Sequence, residues 1–434
     1  MGYLDFNIMN MNKASQIQFK AKKVIKKKNC VLCFSKKFRK VLDFKKTPLA
    51  NSYKKNLNKK EQHIPLSCVL CENCGHLQLS HLVNPKIMFE NYSYVSGTSK
   101  VLKKHFVNYA KKMISTFGLN NKSKILDIAC NDGTFLEYFK NKRFKNVVGI
   151  EPAQNLRILN LKKKIDINNN FFSKKFSNVM KKKYNSFDLI TANNVFAHSP
   201  HLYDFSQGVK NLLSTKGVFV LEVSYLLTVL KKKTFDTIYH EHMSYHALKP
   251  LINFFKMQNL EVFDFQLIEA QGGSIRVFVS HKKSYKVKAN KINNQIKKEV
   301  SQGLFSRDRY KYFFKEINET NIKLNKIIKN LKKKNLNIIG YGAPAKLTTL
   351  THVFGLSRND FKIVIDDNNF KVNKYTPGKN FLIKNFNYLK MNKYKYQVII
   401  VLAWNFFDSI KIKCKSINNR FMFIKPFPTP KILK

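Results

Sequence analysis

The stretch "KILDIACNDGTFLEYF", Lys124–Phe139, decides the fold. It opens as a short apolar strand, breaks at a polar turn containing Gly133, and continues as a helix with apolar residues at helical spacing. The following "NVVGIEPA" (Asn146–Ala153) reads as a second strand, closed by an acid, Glu151. "SFDLITANNVFAH" (Ser186–His198) and "GVFVLEVSY" (Gly217–Tyr225) are further short apolar runs bounded by polar residues. Strands alternating with helices in this way argue for an α/β fold with a parallel sheet. Ligands of such sheets bind beyond the carboxyl ends of the strands, at the switch point of the topology.

The turn "DIACNDG" lacks a full GxGxxG pattern, so it is poor evidence for a dinucleotide. Asp127 precedes it, Asn131, Asp132 and Gly133 form it, and Glu151 can accept two hydrogen bonds from ribose hydroxyls. No basic residue stands at the turn to favour phosphates. S-adenosylmethionine fits better, and an ordinary strand–helix turn with a surface acid is the bland alternative. From Ala270 onward a lysine- and asparagine-rich helical stretch, about Lys286 to Lys334, leads into "LNIIGYGAPAKLTTL" (Leu336–Leu350). "FKIVIDDNNFKVNKYTPG" (Phe361–Gly378) and "YQVIIVLAWNF" (Tyr396–Phe406) follow. These repeat the strand–turn–helix texture and predict a second, smaller α/β domain. Lys346 faces either a phosphate at that helix start or nothing but its own fold.

Upstream, "CVLC" (Cys30–Cys33) and "CVLCENCG" (Cys68–Gly75) hold five of the seven cysteines. Two CxxC pairs on separate turns supply four thiolates for tetrahedral zinc. Gly75 suits a turn under the sulfur, which selects Cys71 and Cys74 as partners of Cys30 and Cys33 and leaves Cys68 spare. A closed four-cysteine site has no vacancy for water, so the zinc is expected to be structural. Residues 1 to about 27, ending in "KKVIKKKN", read as a loose leader.

The chain has 434 residues, enough for two or three domains at roughly 100–200 residues each. Hydrophobic residues at 44% supply cores, yet no apolar run reaches the roughly 18–20 residues that span a bilayer. The net charge of +54 invites a nucleic-acid partner. Arginine is scarce beside lysine, however, and the lysines are scattered together with inflated Asn, Ile and Phe. That is the signature of A/T-rich codons, so no specific nucleic-acid partner and no membrane are expected. A cytoplasmic monomer is the default.

"TIYHEHMSYHAL" (Thr237–Leu248) gathers three histidines and a glutamate. Histidine titrates near neutral pH, so the run reads as a proton-handling site or a metal site. HxH places both rings on one face only in a strand. His240 reads as the structural member and His246 as a surface or packing histidine.

Together these segments resemble the sugar C-methyltransferases that act on nucleotide-linked keto-deoxysugars. The resemblance spans about residues 28 to 430. It rests on the cysteine pairs and on "PLSCVLCENCGHLQLSHLV", "YSYVSGTS", "ILDIACNDGTFL", "GIEPA", "NNVFAHSP", "TFDTIYHEHMSYHAL", "QGGSIRVF", "GYGAPAK" and "YTPG", in the family's order. It implies a zinc-binding domain over 28–90, a class I methyltransferase domain with a Rossmann-like sheet over 91–265, and a C-terminal Rossmann-like α/β domain over 266–434. It further implies that His242 is a base, that Tyr239 and Glu241 line the pocket, and that His198 and Tyr94 contact sugar or assist proton transfer. Asp127, Asn131, Asp132, Gly133, Glu151, Asn193 and Asn194 would surround the cofactor. Gln271 stands where the family usually has His, and Ala129 and Cys130 stand where Gly or Ser is usual.

Methylating carbon beside a ketone needs a base, donors for the developing enolate oxygen, and a methyl group held in line. Glu241 is expected to orient an imidazole and raise its basicity. The competing reading is a zinc-ribbon RNA methyltransferase. Base-amino methylators carry [D/N]-P-P-[Y/F] after the fourth strand, where this chain has "NNVFAHSP", and they have no use for the C-terminal domain.

Overall fold

The computed structural model describes Phe19 and residues 22–434; the rest of the expected leader lies outside the described residues. Val24–Lys26, expected within that leader, is a strand paired antiparallel with His81–Val83. Two adjacent β-branched residues, Val24 and Ile25, favour that extended pairing.

The chain divides into two compact units that alternate along the sequence. One takes in the described residues up to 39, then 69–227 and 243–305; the other takes in 40–68, 228–242 and 306–434. The first unit carries a seven-stranded sheet: β1 Lys124–Ile128, β2 Asn146–Ile150, β3 Asp166–Asn168, β4 Phe187–Asn193, β5 Leu213–Ser224, β6 Leu260–Ile268 and β7 Ser274–His281. Their order is β6-β7-β5-β4-β1-β2-β3, with β1 to β5 parallel and β7 antiparallel to both neighbours. The hairpin β6–β7 completes this sheet, so the methyltransferase sheet continues past the expected boundary at 265/266.

β1 and β2 are buried over nearly their whole lengths because helices cover both faces, as parallel strands require. Ile125, Tyr109, Phe135 and Phe139 pack one face into a core. The chain runs β1-β2-β3 in one direction and then returns to β4 on the other side of β1. A crevice is therefore left at the carboxyl ends of β1 and β4.

A polar row crosses the sheet near this edge. Asp127 pairs in register with Thr191, Asn193 with Glu222, and Glu222 with Arg276. Glu222 is 1% exposed and accepts from Arg276 Nη2 at 2.6 Å and Nε at 3.0 Å, with His105 Nε2 at 2.8 Å on its other oxygen. The Arg276 guanidinium lies 3.5 Å from the Tyr109 ring centroid. Burial pushes the Glu222 pKa up, but His105 and Arg276 outweigh it and hold the carboxyl below its ordinary value. Removing one partner of a buried pair strands the other charge. Arg276→Met is therefore expected to cost about 3–5 kcal/mol in denaturant unfolding. A variant as stable as the parent would show that the pair contributes nothing.

The second unit holds β8 Ile338–Tyr341, β9 Ile363–Ile365, β10 Leu382–Lys384, β11 Val398–Val401, β12 Met422–Lys425 and β13 Lys431–Leu433. Their order is β10-β9-β8-β11-β12-β13, parallel except for β13. Residues from far upstream complete this unit. Lys54 bridges to Tyr375, Glu61 accepts from the Gly378 amide, and Phe44 packs on Phe235. The expected helical stretch before β8 is two helices, Ala289–Ser301 and Arg307–Lys333. Gly303, at φ 68°, turns the chain between them.

Candidate active site

The cysteine pairs form two matching knuckles in the first unit. Cys30 N–H donates to Ser35 O at 2.8 Å and Phe34 N–H to Cys30 O at 3.0 Å; Cys71 to His76 O and Gly75 to Cys71 O repeat this at 2.9 Å each. Phe34 and Gly75 occupy the same left-handed position, at φ 61° and 76°. Glycine is needed at the second knuckle, where an added Cβ would lie 2.4 Å from the Phe305 ring. The four sulfurs of Cys30, Cys33, Cys71 and Cys74 lie within 4.8 Å of one another, with Cys30–Cys74 at 3.6 Å and Cys33–Cys71 at 3.5 Å. A Zn–S bond of about 2.3 Å gives a tetrahedral edge of about 3.8 Å, so the thiolates fit zinc. Cys68 is buried and stands outside the group.

At the switch point Ala129, Asn131 and Gly133 all have positive φ, which folds the turn tightly over β2. The Cys130 amide donates to Ile150 O at 3.0 Å. The Cys130 side chain is buried in the core, and its sulfur fills the space that a Cβ on Gly149 would need. Glu151 accepts from Asn131 N at 2.8 Å and from Ala153 N at 2.9 Å, one bond on each oxygen. Each oxygen keeps a lone pair, enough for two ribose hydroxyls. Asp127 accepts from Thr191 Oγ1 at 2.6 Å and Asn193 Nδ2 at 3.1 Å. The Asn193 Oδ1 atom is buried without a partner among the described residues, an acceptor waiting for a donor. Asn194, at φ 56°, turns the chain out of β4.

Asp132 behaves differently. Its carboxylate is engaged by Thr134 Oγ1 at 2.8 and 2.9 Å, by Gly97 N at 3.1 Å and by Lys163 at 3.4 Å. It ties residues 96–98 to the turn. Asn131 does the same, accepting from Ser96 N at 2.8 Å and donating to Tyr94 O at 3.1 Å. Tyr94 is thus placed beside the turn by its backbone, with its ring 6.3 Å from Tyr92. Beyond β2 and β3 a cavity of about 470 Å³ is lined by Pro152, Gln154, Asn169, Asn170 and Phe171 among others. Asn169 donates to Glu151 O at 2.9 Å, which links this cavity to the acid. His198 stacks on Phe89, ring centroids 5.4 Å apart and 5° from parallel.

Burial pushes both Asp127 and Glu151 up to about 7. A ligand that donates hydroxyls and carries positive charge favours their ionised forms. S-adenosylmethionine affinity is therefore expected to rise between about pH 6 and 8 and then level off, with protons released on binding below pH 7. Calorimetry in buffers of different ionisation enthalpy measures both; a flat profile would contradict the assignment. The unfolded chain loses these protons near pH 4 while the folded chain keeps them. Stability without ligand accordingly falls as pH rises from about 4 to about 7.

The Tyr-His-Glu-His run lies in the second unit, and it is a turn rather than a strand. His242 N–H donates to Tyr239 O at 2.9 Å, so residues three apart face each other with ring centroids 4.2 Å apart. His240 points elsewhere, its Nε2 3.3 Å from Ile64 O. HxH therefore forms no shared metal face, and among the described residues the four cysteines are the cluster able to hold an ion. The expected orienting role of Glu241 is replaced. His242 Nδ1 lies 2.6 Å from Thr237 O, a carbonyl that can only accept, so Nδ1 carries the proton. Nε2 keeps its lone pair and receives the Tyr239 hydroxyl at 3.0 Å. Glu241 instead accepts from Asn51 Nδ2 at 2.6 Å. Tyr239 and His242 are half-buried, whereas His240 and Glu241 are buried.

Three family profiles match in order: a putative zinc binding domain over residues 30–89, a methyltransferase domain over 103–264, and a C-methyltransferase C-terminal domain over 269–428. The chain is a C-methyltransferase. It is similar to the C-methyltransferase NovU of Streptomyces niveus, 27% identical over 407 residues that cover 93% of this chain and 96% of that protein. Among solved structures, an S-adenosylmethionine-dependent methyltransferase from Clostridium acetobutylicum covers 41% of this chain and 92% of its own at 15% identity, with a TM-score of 0.31. One from Anabaena variabilis covers 43% and 88% at 15% identity, with a TM-score of 0.33.

This C-methyltransferase uses S-adenosylmethionine and carries a structural zinc. Among the described residues no helix is long and apolar enough to cross a membrane. Sequence reasoning missed Asn51, Asn169 and the His105–Glu222–Arg276 network. Arg276 sits inside the "QGGSIRVF" motif and was open to notice; His105 lies in a helix whose pattern gives no sign of it. Gln271 falls in the single turn Ala270–Gly272, and its side chain lies outside the described residues.

Proposed function

We propose that this C-methyltransferase acts on a nucleotide-linked keto-deoxysugar, with His242 removing a proton from the carbon beside the ketone. The observation that carries this reading is the Tyr239–His242 pair. A backbone carbonyl fixes one tautomer and leaves a basic Nε2 under a tyrosine hydroxyl. The similarity to NovU along nearly the whole chain supports a C-methylation, and the "NNVFAHSP" segment gives no support to base-amino methylation of RNA.

Asp127, Glu151, Asn131 and Asn193 would hold S-adenosylmethionine, which when bound supplies an electrophilic methyl group. The remaining work falls to the chain. Tyr239 donates to Nε2 in the resting state, and a substrate C–H bond at Nε2 displaces that hydroxyl. The hydroxyl then becomes a neutral donor for the ketone oxygen. Burial lowers His242 to about 4, aided by the Lys346 charge, so the ring stays neutral and ready to accept throughout the physiological range. His198 and Tyr94 are proposed to contact the sugar. Incubation with methyl-labelled S-adenosylmethionine and a panel of nucleotide-linked ketosugars tests the reading. Label on a sugar carbon is expected. Label entering RNA while every ketosugar stays unlabelled would refute it.

A further inference from the structure

The second unit carries a cation that the mechanism above uses only for its effect on His242. Lys346 lies in "GYGAPAK", at the start of a helix where the sequence allows a phosphate contact. The following helix, Leu347–Val353, is only 7 residues long. The turn itself is filled: Ala343 N donates to Asp366 Oδ2 at 2.7 Å, and Ala343 O accepts from Tyr53 OH at 2.7 Å and from Lys371 Nζ at 2.9 Å. No cradle for a phosphate is left there. The Lys346 side chain turns away from it. Its ammonium sits 3.8 Å from the ring centroid of Trp404, the one tryptophan in the chain, and donates to Asn405 Oδ1 at 2.9 Å.

Both of these partners, the Asn405 amide and the Trp404 ring, are uncharged. Among the described residues no carboxylate lies within ion-pair distance of this ammonium. The nearest balancing charge, Asp236, acts on Lys346 only through space: Trp404 Nε1 donates to its Oδ2 at 2.6 Å, and its Oδ1 is buried without a hydrogen-bond partner among the described residues. Thr237 follows Asp236, and its carbonyl is the one that orients His242. Lys346, Trp404, Asp236, Tyr239 and His242 thus belong to one cluster. A half-buried ammonium has three donors. Here one is used on Asn405 and one side lies against an aromatic face.

We propose that Lys346 is a further catalytic residue, whose ammonium donates to the substrate's ketone oxygen as that oxygen becomes an enolate. The inference rests on the function proposed above. In the step, the C–H bond breaks, its proton goes to His242 Nε2, and its electron pair moves through carbon onto the oxygen. The cost of charging a half-buried imidazole next to a lysine is visible in the depressed His242 pKa. A lysine that only weakened the base would oppose the reaction. Placed against the new enolate, the same charge offsets that penalty, and preorganised donors of this kind are worth about 10²–10³-fold. Tyr239, in contact, and Lys346, through its charge, face His242, and Asp236 acts in turn on Lys346, so the His242 titration reports on the cluster.

The test uses the full chain and a dTDP-linked 4-keto-6-deoxyhexose in D₂O, without S-adenosylmethionine, and follows exchange of the proton beside the ketone. Lys346→Met is expected to slow exchange by about 10²–10³-fold, while the His242 ring, followed by NMR, titrates at higher pH than in the parent. A stronger base that reacts more slowly is a signature that a packing role would not produce. Lys346→Arg, which keeps the charge and guards against a folding defect in the Met variant, is expected to exchange faster than Lys346→Met, although the guanidinium does not reproduce the ammonium's geometry on Trp404. Exchange in Lys346→Met equal to or faster than the parent, or an unmoved His242 titration, would overturn the assignment. A parent protein that exchanges nothing from the probe would instead remove the proposed function, and this role with it.

Discussion

Replacing His242 with alanine is expected to abolish methyl transfer while leaving S-adenosylmethionine affinity nearly intact. General-base assistance is worth on the order of 10²–10⁴-fold, and a carbon acid beside a ketone does not ionise at neutral pH unaided. The loss should therefore reach the upper end of that range. The residues proposed to hold the cofactor, Asp127, Glu151, Asn131 and Asn193, all lie in the first unit, and His242 lies in the second. Cofactor binding measured by calorimetry should accordingly change little. Tyr239→Phe should retain more activity than His242→Ala, because it removes a donor but leaves the Nδ1–H bond to Thr237 O and the Nε2 lone pair. Normal turnover in His242→Ala would withdraw the base assignment.

Cys71→Ser is expected to lose the zinc and unfold the segment built around it. Structural zinc contributes roughly 10–16 kcal/mol in small zinc domains, at least comparable to the stability of a whole domain. The knuckles at Cys30–Ser35 and Cys71–His76 carry few other long-range hydrogen bonds. Val31 N to Gln78 Oε1 at 2.9 Å and Gln78 Nε2 to Asn29 O at 3.3 Å are among them. Glu72 N to Lys37 O at 3.0 Å and the exposed Arg39–Glu72 pair add to them, and a few such interactions of about 1 kcal/mol each cannot replace the metal. Zinc content by atomic emission, together with limited proteolysis of residues 22–90, checks both outcomes. A full zinc complement in the variant would show that Cys68 or another group takes the fourth place. Chelation of the parent protein should give the same proteolytic pattern as the variant.

Local features were legible and distant ones were not. The CxxC pairs could be read because each knuckle closes over four or five residues, and the choice of Cys71 and Cys74 over Cys68 followed from Gly75. Phe34 shows the limit of that clue, since the equivalent position of the first knuckle adopts positive φ without glycine. Asp127 and Glu151 could be read from strand ends. Asp132, adjacent to both in kind, gave no sign that Thr134 and Gly97 would engage it. His242 as base and Tyr239 as a pocket residue were implied by the resemblance, whereas their contact with each other was not. The choice of Thr237 O over Glu241 as orienting acceptor depends on the turn's φ and ψ, which composition does not encode. Glu222 meets His105 and Arg276 across separations of 117 and 54 residues. Such meetings are set by sheet order, and no local pattern announces them.

The interleaving of the two compact units restricts how the gene can be cut. A fragment limited to 306–434 would lack the two short upstream stretches that seal its aromatic interior and supply its reactive turn. A fragment stopping at 265 would leave an incomplete hairpin at the sheet's edge. Exchange of whole units between relatives would have to splice this polypeptide at several points at once. Altered selectivity is therefore more readily reached by point replacement within the existing scaffold than by recombination of modules.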